Sequence, residues 1–387
     1  MMQPSRVALI VGLIAAVGFA CKSKESDPKK GTSKAPTNKT PGPAKTKPTD
    51  GKSSSAAKQL PAQNRDVHVV IGKMKLPGTL ALPARKAEAK LPGVVLVHGS
   101  GAHDRDERIV QAGYTFKPFA ELSAALVKAG FAVLRYDKRS HVIQPAARAI
   151  AKDRPALMKL IDTLSHEQFA ADAEAAIALL ASQPEVAAEK TFFIGHSIAG
   201  LYAPLIAKNT KVAGLVLLAP ILLPFREHLV HQAEVQIGVA KEAKAKAKKA
   251  KALDPITAAA IDKQIAQSRS SIATYKKVFA LIDSGKFPKG GMFMGGSLAI
   301  FNGTVALSQK LPEKYAAIKQ PLLYINGKND WICPVDAVTK HRSVMDKKKN
   351  FELRIFDDLN HFQYTSSPLA FSKQMAKSVV EWLRKQP

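Results

Sequence analysis

The sequence predicts an α/β protein, a doubly wound and mostly parallel sheet carrying a helical insertion, and three observations predict it. Short uninterrupted apolar runs alternate with segments of helical apolar spacing, the pattern of strands buried on both faces between crossover helices. One run, Thr191-Phe192-Phe193-Ile194, breaks at Gly195 and presents Ser197 ahead of another apolar stretch. Asp330 and His361 follow in that order, each just beyond a further apolar run.

A chain of 387 residues with 46% hydrophobic composition buries a large core, but its first sixty residues stand apart. Arg6 precedes the apolar stretch Val7 to Ala20, which has the length of a signal-peptide core and is too short to cross a bilayer of about 30 Å as a helix. Secretion is expected. Gly18-Phe19-Ala20-Cys21 resembles the lipobox of bacterial lipoproteins, which implies cleavage before Cys21 and its lipidation, although Phe19 is bulkier than usual. An ordinary signal peptide that contains a cysteine is the alternative. Lys22 after the cysteine implies, by the same resemblance, the outer rather than the inner membrane of a cell envelope.

Residues 22–60 are mostly Lys, Pro, Thr, Ser, Gly and Ala, with almost nothing apolar and ten lysines against Glu25, Asp27 and Asp50. Such a segment reads as a disordered tether whose charge suits anionic lipid headgroups. The net charge of +27 raises nucleic acid as a partner, but the basic runs here and at Lys241 to Lys251 interleave no aromatic residues for base stacking. A membrane surface fits them better. The two cysteines, Cys21 and Cys333, form no intramolecular disulfide if Cys21 is lipidated, and no Cys/His cluster has metal-ligand spacing. No cofactor is expected.

The folded part is divided into a first core segment over 61–220, an insertion over 221–315 and a second core segment over 316–387. Val67 to Met74 and Gly78 to Leu82 read as a hairpin turning at Lys75-Leu76-Pro77. Leu91 to Val97 is a buried strand that ends in the turn His98-Gly99-Ser100-Gly101. Phe116 to Ala129 has helical spacing and stops at Gly130. Phe131 to Tyr136 is the next strand, followed by Asp137-Lys138-Arg139-Ser140, and Leu164 to Ala181 is a helix broken by Pro184. Asp137 and Arg139 read as charges that brace a loop.

After the serine turn, Val212 to Pro220 is a strand. The insertion that follows holds no good strand pattern. Lys241 to Lys251 reads as a solvated helix of repelling charges with a poor core pattern, and acidic substrate is a possible partner for it. Met292, Phe293 and Met294 between paired glycines suit either a lid over an acyl pocket or ordinary cap packing. Leu369 to Leu383 closes the chain as a helix, and Cys333 and Phe362 are expected to pack.

Ser197 at a strand-to-helix turn has the layout of a nucleophile elbow, G-x-S-x-G, in which small residues let neighbouring backbones approach the serine. Ala199 holds the second small position, which alanine tolerates where the backbone is already helical. A serine that caps a helix after a plain turn is the bland alternative. Brought together, His361 would take the proton of Ser197, and Asp330 would orient the imidazole. Asp357-Asp358, close to His361, is the alternative acid. The backbone N–H of Ile198 and that of Ser100, with Gly101 as the alternate, would form an oxyanion hole.

The serine, acid and histidine order, His98-Gly99-Ser100-Gly101 with Asp104-Arg105-Asp106-Glu107, and Val133 to Arg139 together resemble bacterial secreted and envelope esterases of the α/β-hydrolase superfamily, related to dienelactone hydrolases and serine aminopeptidase-like hydrolases. The similarity covers about 78–220 and 319–387. It implies the α/β-hydrolase fold with a helical cap, and a serine hydrolase acting on a small-molecule carboxylic ester through an acyl-enzyme on Ser197. Ser140 and Ala199 stand where the family usually has glycine, which bears on loop geometry near the oxyanion hole. Peptidase or thioesterase action on the same triad is the alternative within hydrolases. A non-catalytic envelope-binding lipoprotein on this scaffold is the alternative from another class.

Overall fold

The computed structural model describes residues 59–386 apart from Ala112, Lys289 and Gly295. The stretch 1–21 expected to be a signal segment, with the lipidation candidate Cys21, and the expected tether up to residue 58 lie outside the described residues. Gln59–Leu60, assigned to the tether from sequence, pair antiparallel with Arg85–Lys86.

The centre is an eight-stranded sheet. Its strands in chain order are β1 (Gln63–Ile71), β2 (Met74–Leu82), β3 (Leu91–Val97), β4 (Ala132–Tyr136), β5 (Val186–His196), β6 (Gly214–Leu218), β7 (Leu322–Gly327) and β8 (Phe351–Phe356). Across the sheet they run β8-β7-β6-β5-β3-β4-β2-β1. Strands β3 to β8 pair in parallel, and β2 joins β4 and β1 antiparallel.

Side chains alternate between two cores because successive residues of a strand face opposite ways. Val95, Phe193, Leu215 and Leu322 enter one core, and Val94, Phe192, Val216 and Leu323 enter the other. Both faces are covered at the centre of the sheet, so these strands are apolar on both sides there. Helices α1 (Pro118–Lys128) and α8 (Lys373–Arg384) pack on the second face, and α2 (His166–Ala181) and α3 (Ala203–Asn209) on the first.

Three local expectations are corrected. The first hairpin turns at Gly72-Lys73, with Gly72 at φ +56°, rather than at Lys75-Leu76-Pro77, which lies inside β2. Pro77 points its carbonyl to Asp137 N (2.7 Å), so its missing N–H faces that side and the β1 ladder is spared. The closing helix begins at Lys373, capped by Ser372, because 369–371 form a ribbon with Tyr364–Ser366.

The insertion between β6 and β7 is helical: α4 (Phe225–Lys249), α5 (Pro255–Asp283), α6 (Leu298–Ser308) and α7 (Leu311–Ala316). The lysine-rich stretch ends α4 and is not solvated all round, the third correction. Ala240 and Ala247 are buried, and Lys244 bridges to Asp262 of α5 at 2.6 Å. Alanines on one stripe let α4 and α5 approach while the lysines stay outside. Met292–Phe293 and Gly296–Ser297 form a two-residue ribbon, and Phe293 packs with Leu229, Phe279 and Phe301. Among the described residues no helix is long and apolar enough to cross a membrane.

Candidate active site

Parallel strands deliver their carboxyl ends to one edge of the sheet, and the loops after β3, β4, β5, β7 and β8 meet there. Ser197 follows β5 and opens a 3-10 helix, Ser197–Tyr202, with φ +55° at the serine itself. A non-glycine residue in this left-handed region costs about 1–2 kcal/mol, so the surroundings must impose it. They do so by close approach: a Cβ on Gly195 would fall 2.7 Å from the Phe193 ring, and one on Gly200 2.6 Å from Pro220 Cβ. Ala199 lies inside the 3-10 helix, fully buried, where alanine is at ease.

His361 Nε2 lies 3.1 Å from Ser197 Oγ, and its Nδ1 lies 2.9 Å from Asp330 Oδ2. All three residues are buried. Asp330 Oδ1 accepts the N–H groups of Ile332 (2.9 Å) and Cys333 (2.8 Å), so one oxygen anchors the acid and the other meets the histidine. The acid and histidine loops touch at Gly327, where a Cβ would lie 1.9 Å from Leu359 O. The alternative acids are engaged elsewhere: Asp357 with Lys328 Nζ (2.7 Å), and Asp358 with Asn329 Nδ2 (2.8 Å) and Ser366 N (2.9 Å). Cys333 is buried in the core, and burial pushes its thiol pKa up.

Ser100, Gly101 and Ile198 line one cavity of about 370 Å³ between the sheet edge and the cap. Its walls are mostly apolar, with Ile143, Ile161, Leu164, Phe169, Phe225 and Phe301 among them, and Phe293 and Met294 reach it from the ribbon. His166 ties the cap to the core. Thr304 Oγ1 already donates to Ile300 O, so it accepts from His166 Nε2 (2.5 Å), and Tyr202 OH donates to His166 Nδ1 (3.0 Å). That is a neutral imidazole, in keeping with burial, which lowers its pKa to about 4. A larger groove of about 790 Å³ beside β8 and α8 holds none of these residues.

The loops are joined by a buried network that the sequence reading did not contain. Glu107, at φ +53°, accepts the Gly99 N–H (2.6 Å) and His196 Nδ1–H (2.8 Å), while His196 Nε2–H donates to His361 O (2.9 Å). A carboxylate on one ring nitrogen and a backbone carbonyl on the other suit His196 as the imidazolium. Burial opposes both charges, yet the pair sustains them: the His196 charge brings Glu107 down to about 2, and Glu107 raises His196. Lys138 donates to the Gly99 carbonyl (2.5 Å). The bracing charges do not pair with each other, since Asp137 holds Arg105 (3.0 Å) and Arg139 holds buried Asp172 (2.9 Å). Glu107, Lys138 and His196 all lie inside stretches singled out from the sequence. Only their burial, which one sequence does not display, marks them as structural ions.

Glu107→Gln keeps the hydrogen-bonding shape and removes the charge, and is expected to cost about 1.5–3 kcal/mol near pH 6. The depressed Glu107 pKa contributes stability above about 4.5 that is lost as pH falls toward about 2. The raised His196 pKa contributes stability below about 6.5 that is lost as pH rises through its folded value. The gap between the two proteins in urea unfolding should therefore be widest between about pH 4.5 and about 6.5. A gap that stayed constant from pH 3 to 9 would remove the ion pair from the account.

The sheet order, the strained serine elbow and the helical insertion define a member of the α/β-hydrolase superfamily. More particularly, the chain belongs to the serine aminopeptidase S33 family, whose profile matches residues 93–363. It is 24% identical over 308 residues to Esterase EstD of Thermotoga maritima, covering 77% of this chain but only 61% of that esterase. A Pyrococcus furiosus esterase structure aligns at TM-score 0.48 and 16% identity, over 84% of this chain and 92% of the other. An acylaminoacyl peptidase solved with a Z-Gly-Gly-Phe chloromethyl ketone aligns at 0.50 and 14% identity, over 84% and 42%. At 14% identity, the peptidase likeness bears on the fold alone.

Proposed function

We propose that this chain hydrolyses carboxylic esters through an acyl-enzyme on Ser197. The carrying observation is the unbroken contact from Ser197 Oγ through His361 to Asp330 beside an apolar cavity. His361 Nε2 accepts the serine proton as Oγ attacks the ester carbonyl, and Asp330 steadies the imidazolium at Nδ1. The oxyanion is received by the N–H groups of Ile198 and Ser100. Collapse expels the alcohol, which takes the proton from His361. Water, deprotonated by the same nitrogen, then releases the acid.

The peptidase reading has the family name in its favour, but the cavity disfavours a free peptide N-terminus. Among the described residues its lining includes no carboxylate, and Lys138 there would repel an ammonium group. The relative named an esterase agrees with this choice. A cavity of this size sits at the lower end of the range for ligand pockets, ~300–1,000 Å³, and suits short to medium acyl chains.

The test is hydrolysis of p-nitrophenyl acetate, butyrate, octanoate and palmitate beside aminoacyl p-nitroanilides, with an organophosphonate as titrant. Ester turnover that falls away at palmitate and stops when one phosphonate has bound Ser197 is expected. Anilides cleaved faster than every ester would overturn the assignment. We propose as well that the protein is anchored in a cell envelope through Cys21. Cys21→Ser should then move it from the membrane fraction to the soluble one, and an unchanged distribution would exclude the anchor.

A further inference from the structure

The Gly99–Ser100 peptide is gripped at its oxygen by a buried cation. Lys138 Nζ donates to the Gly99 carbonyl at 2.5 Å, while Glu107 Oε1 accepts the Gly99 N–H at 2.6 Å. In a trans peptide the carbonyl and the following N–H share a plane and point in opposite directions. An ammonium that fixes the Gly99 oxygen thereby sets the direction of the Ser100 N–H, opposite to that carbonyl, and Ser100, Ile198 and Lys138 itself line the cavity. Drawing electron density onto that oxygen also makes the N–H a stronger donor.

The next two carbonyls are held in the same manner. Ser100 O meets His103 Nε2, and Gly101 O accepts from Ser140 Oγ at 3.0 Å. Ser140, one of the two positions at which the family resemblance implies glycine, spends its hydroxyl on this loop. Lys138 also has no carboxylate to itself. Around it stand Glu107, engaged by His196, and Asp172 on α2, engaged by Arg139, with His98, His103 and His166 near enough to feel its charge. The Phe169 ring lies 4.9 Å from its Nζ. A buried ammonium is costly, and here its hydrogen bond goes to the loop that carries the oxyanion donor.

We propose that Lys138 is a positioning residue of the oxyanion hole, orienting and polarising the Ser100 N–H through the Gly99 carbonyl. The inference rests on the serine mechanism proposed above. Burial lowers the Lys138 pKa to about 8, so the ammonium, and with it the polarisation, is present below that pH and lost above it.

Lys138→Met in the full chain tests this with kcat and KM measured on p-nitrophenyl butyrate from pH 6 to 10. The variant should fold, lose about 10–100-fold in kcat, less than deletion of a donor costs, keep KM within about twofold, and lack the alkaline fall in kcat expected of the wild type near pH 8. A folded variant with wild-type kcat, or one changed in KM alone, overturns the proposal. Should the variant not fold, the wild-type profile decides: a fall centred near pH 8 supports the clamp, and a flat profile to pH 10 overturns it. A wild type no faster than Ser197→Ala would instead overturn the serine mechanism, a result distinct from either.

Discussion

Ser197→Ala and Ser197→Gly are both expected to lower kcat on esters by about 10⁵–10⁶-fold, because the nucleophile and the base act as one unit and losing either removes the covalent route. A residue of catalysis over water should survive in both, supplied by binding and the oxyanion donors alone. The two variants should differ in stability. Ser197 sits at φ +55°, where alanine bears the left-handed penalty and glycine does not. Ser197→Gly should therefore unfold at higher temperature than Ser197→Ala by the equivalent of ~1 kcal/mol. Calorimetry beside the ester assay checks both parts. Equal melting temperatures would remove strain from the description of the elbow, and retained turnover in either variant would remove Ser197 from the chemistry.

Asp330→Asn should cost about 10⁴-fold in kcat with KM and melting temperature little changed. The reason lies in how the carboxylate is used. Its Oδ1 accepts two backbone N–H groups, from Ile332 and Cys333. An asparagine keeps both bonds only by placing its carbonyl oxygen there, which turns its NH₂ toward His361 Nδ1. That nitrogen must then accept, so the proton moves to Nε2, the atom meant to receive the serine proton. The imidazole is held in place in the wrong tautomer. Activity within tenfold of wild type would show that another group orients His361, and Asp357 and Asp358 would be examined next.

Much of this was legible in one sequence because the signals are local. The apolar strand ending in Gly195 and Ser197 declares the elbow, and the loops after the strands Leu322–Gly327 and Phe351–Phe356 carry Asp330 and His361, the candidates that meet it. Strand order then needs only the alternation of strand and helix to become a parallel sheet, whose carboxyl ends are common ground. Where local signals competed, the reading failed. Pro77 suggested a turn, but its missing N–H points away from the β1 ladder, and the tighter turn belongs to Gly72. The lysines of α4 concealed an alanine stripe that has meaning only against α5.

The sequence by itself determined the fold class, the elbow with its serine and the histidine that meets it, since each is written in a short stretch with its own period or turn. Only the tertiary structure decided which carboxylate faces His361, why Gly99 is held at both ends, and that Glu107, His196 and Lys138 are buried ions rather than surface charges. Those facts depend on loops distant in the chain arriving at one sheet edge. Whether a charge is costly or useful is set by the partners and the water it is left with there.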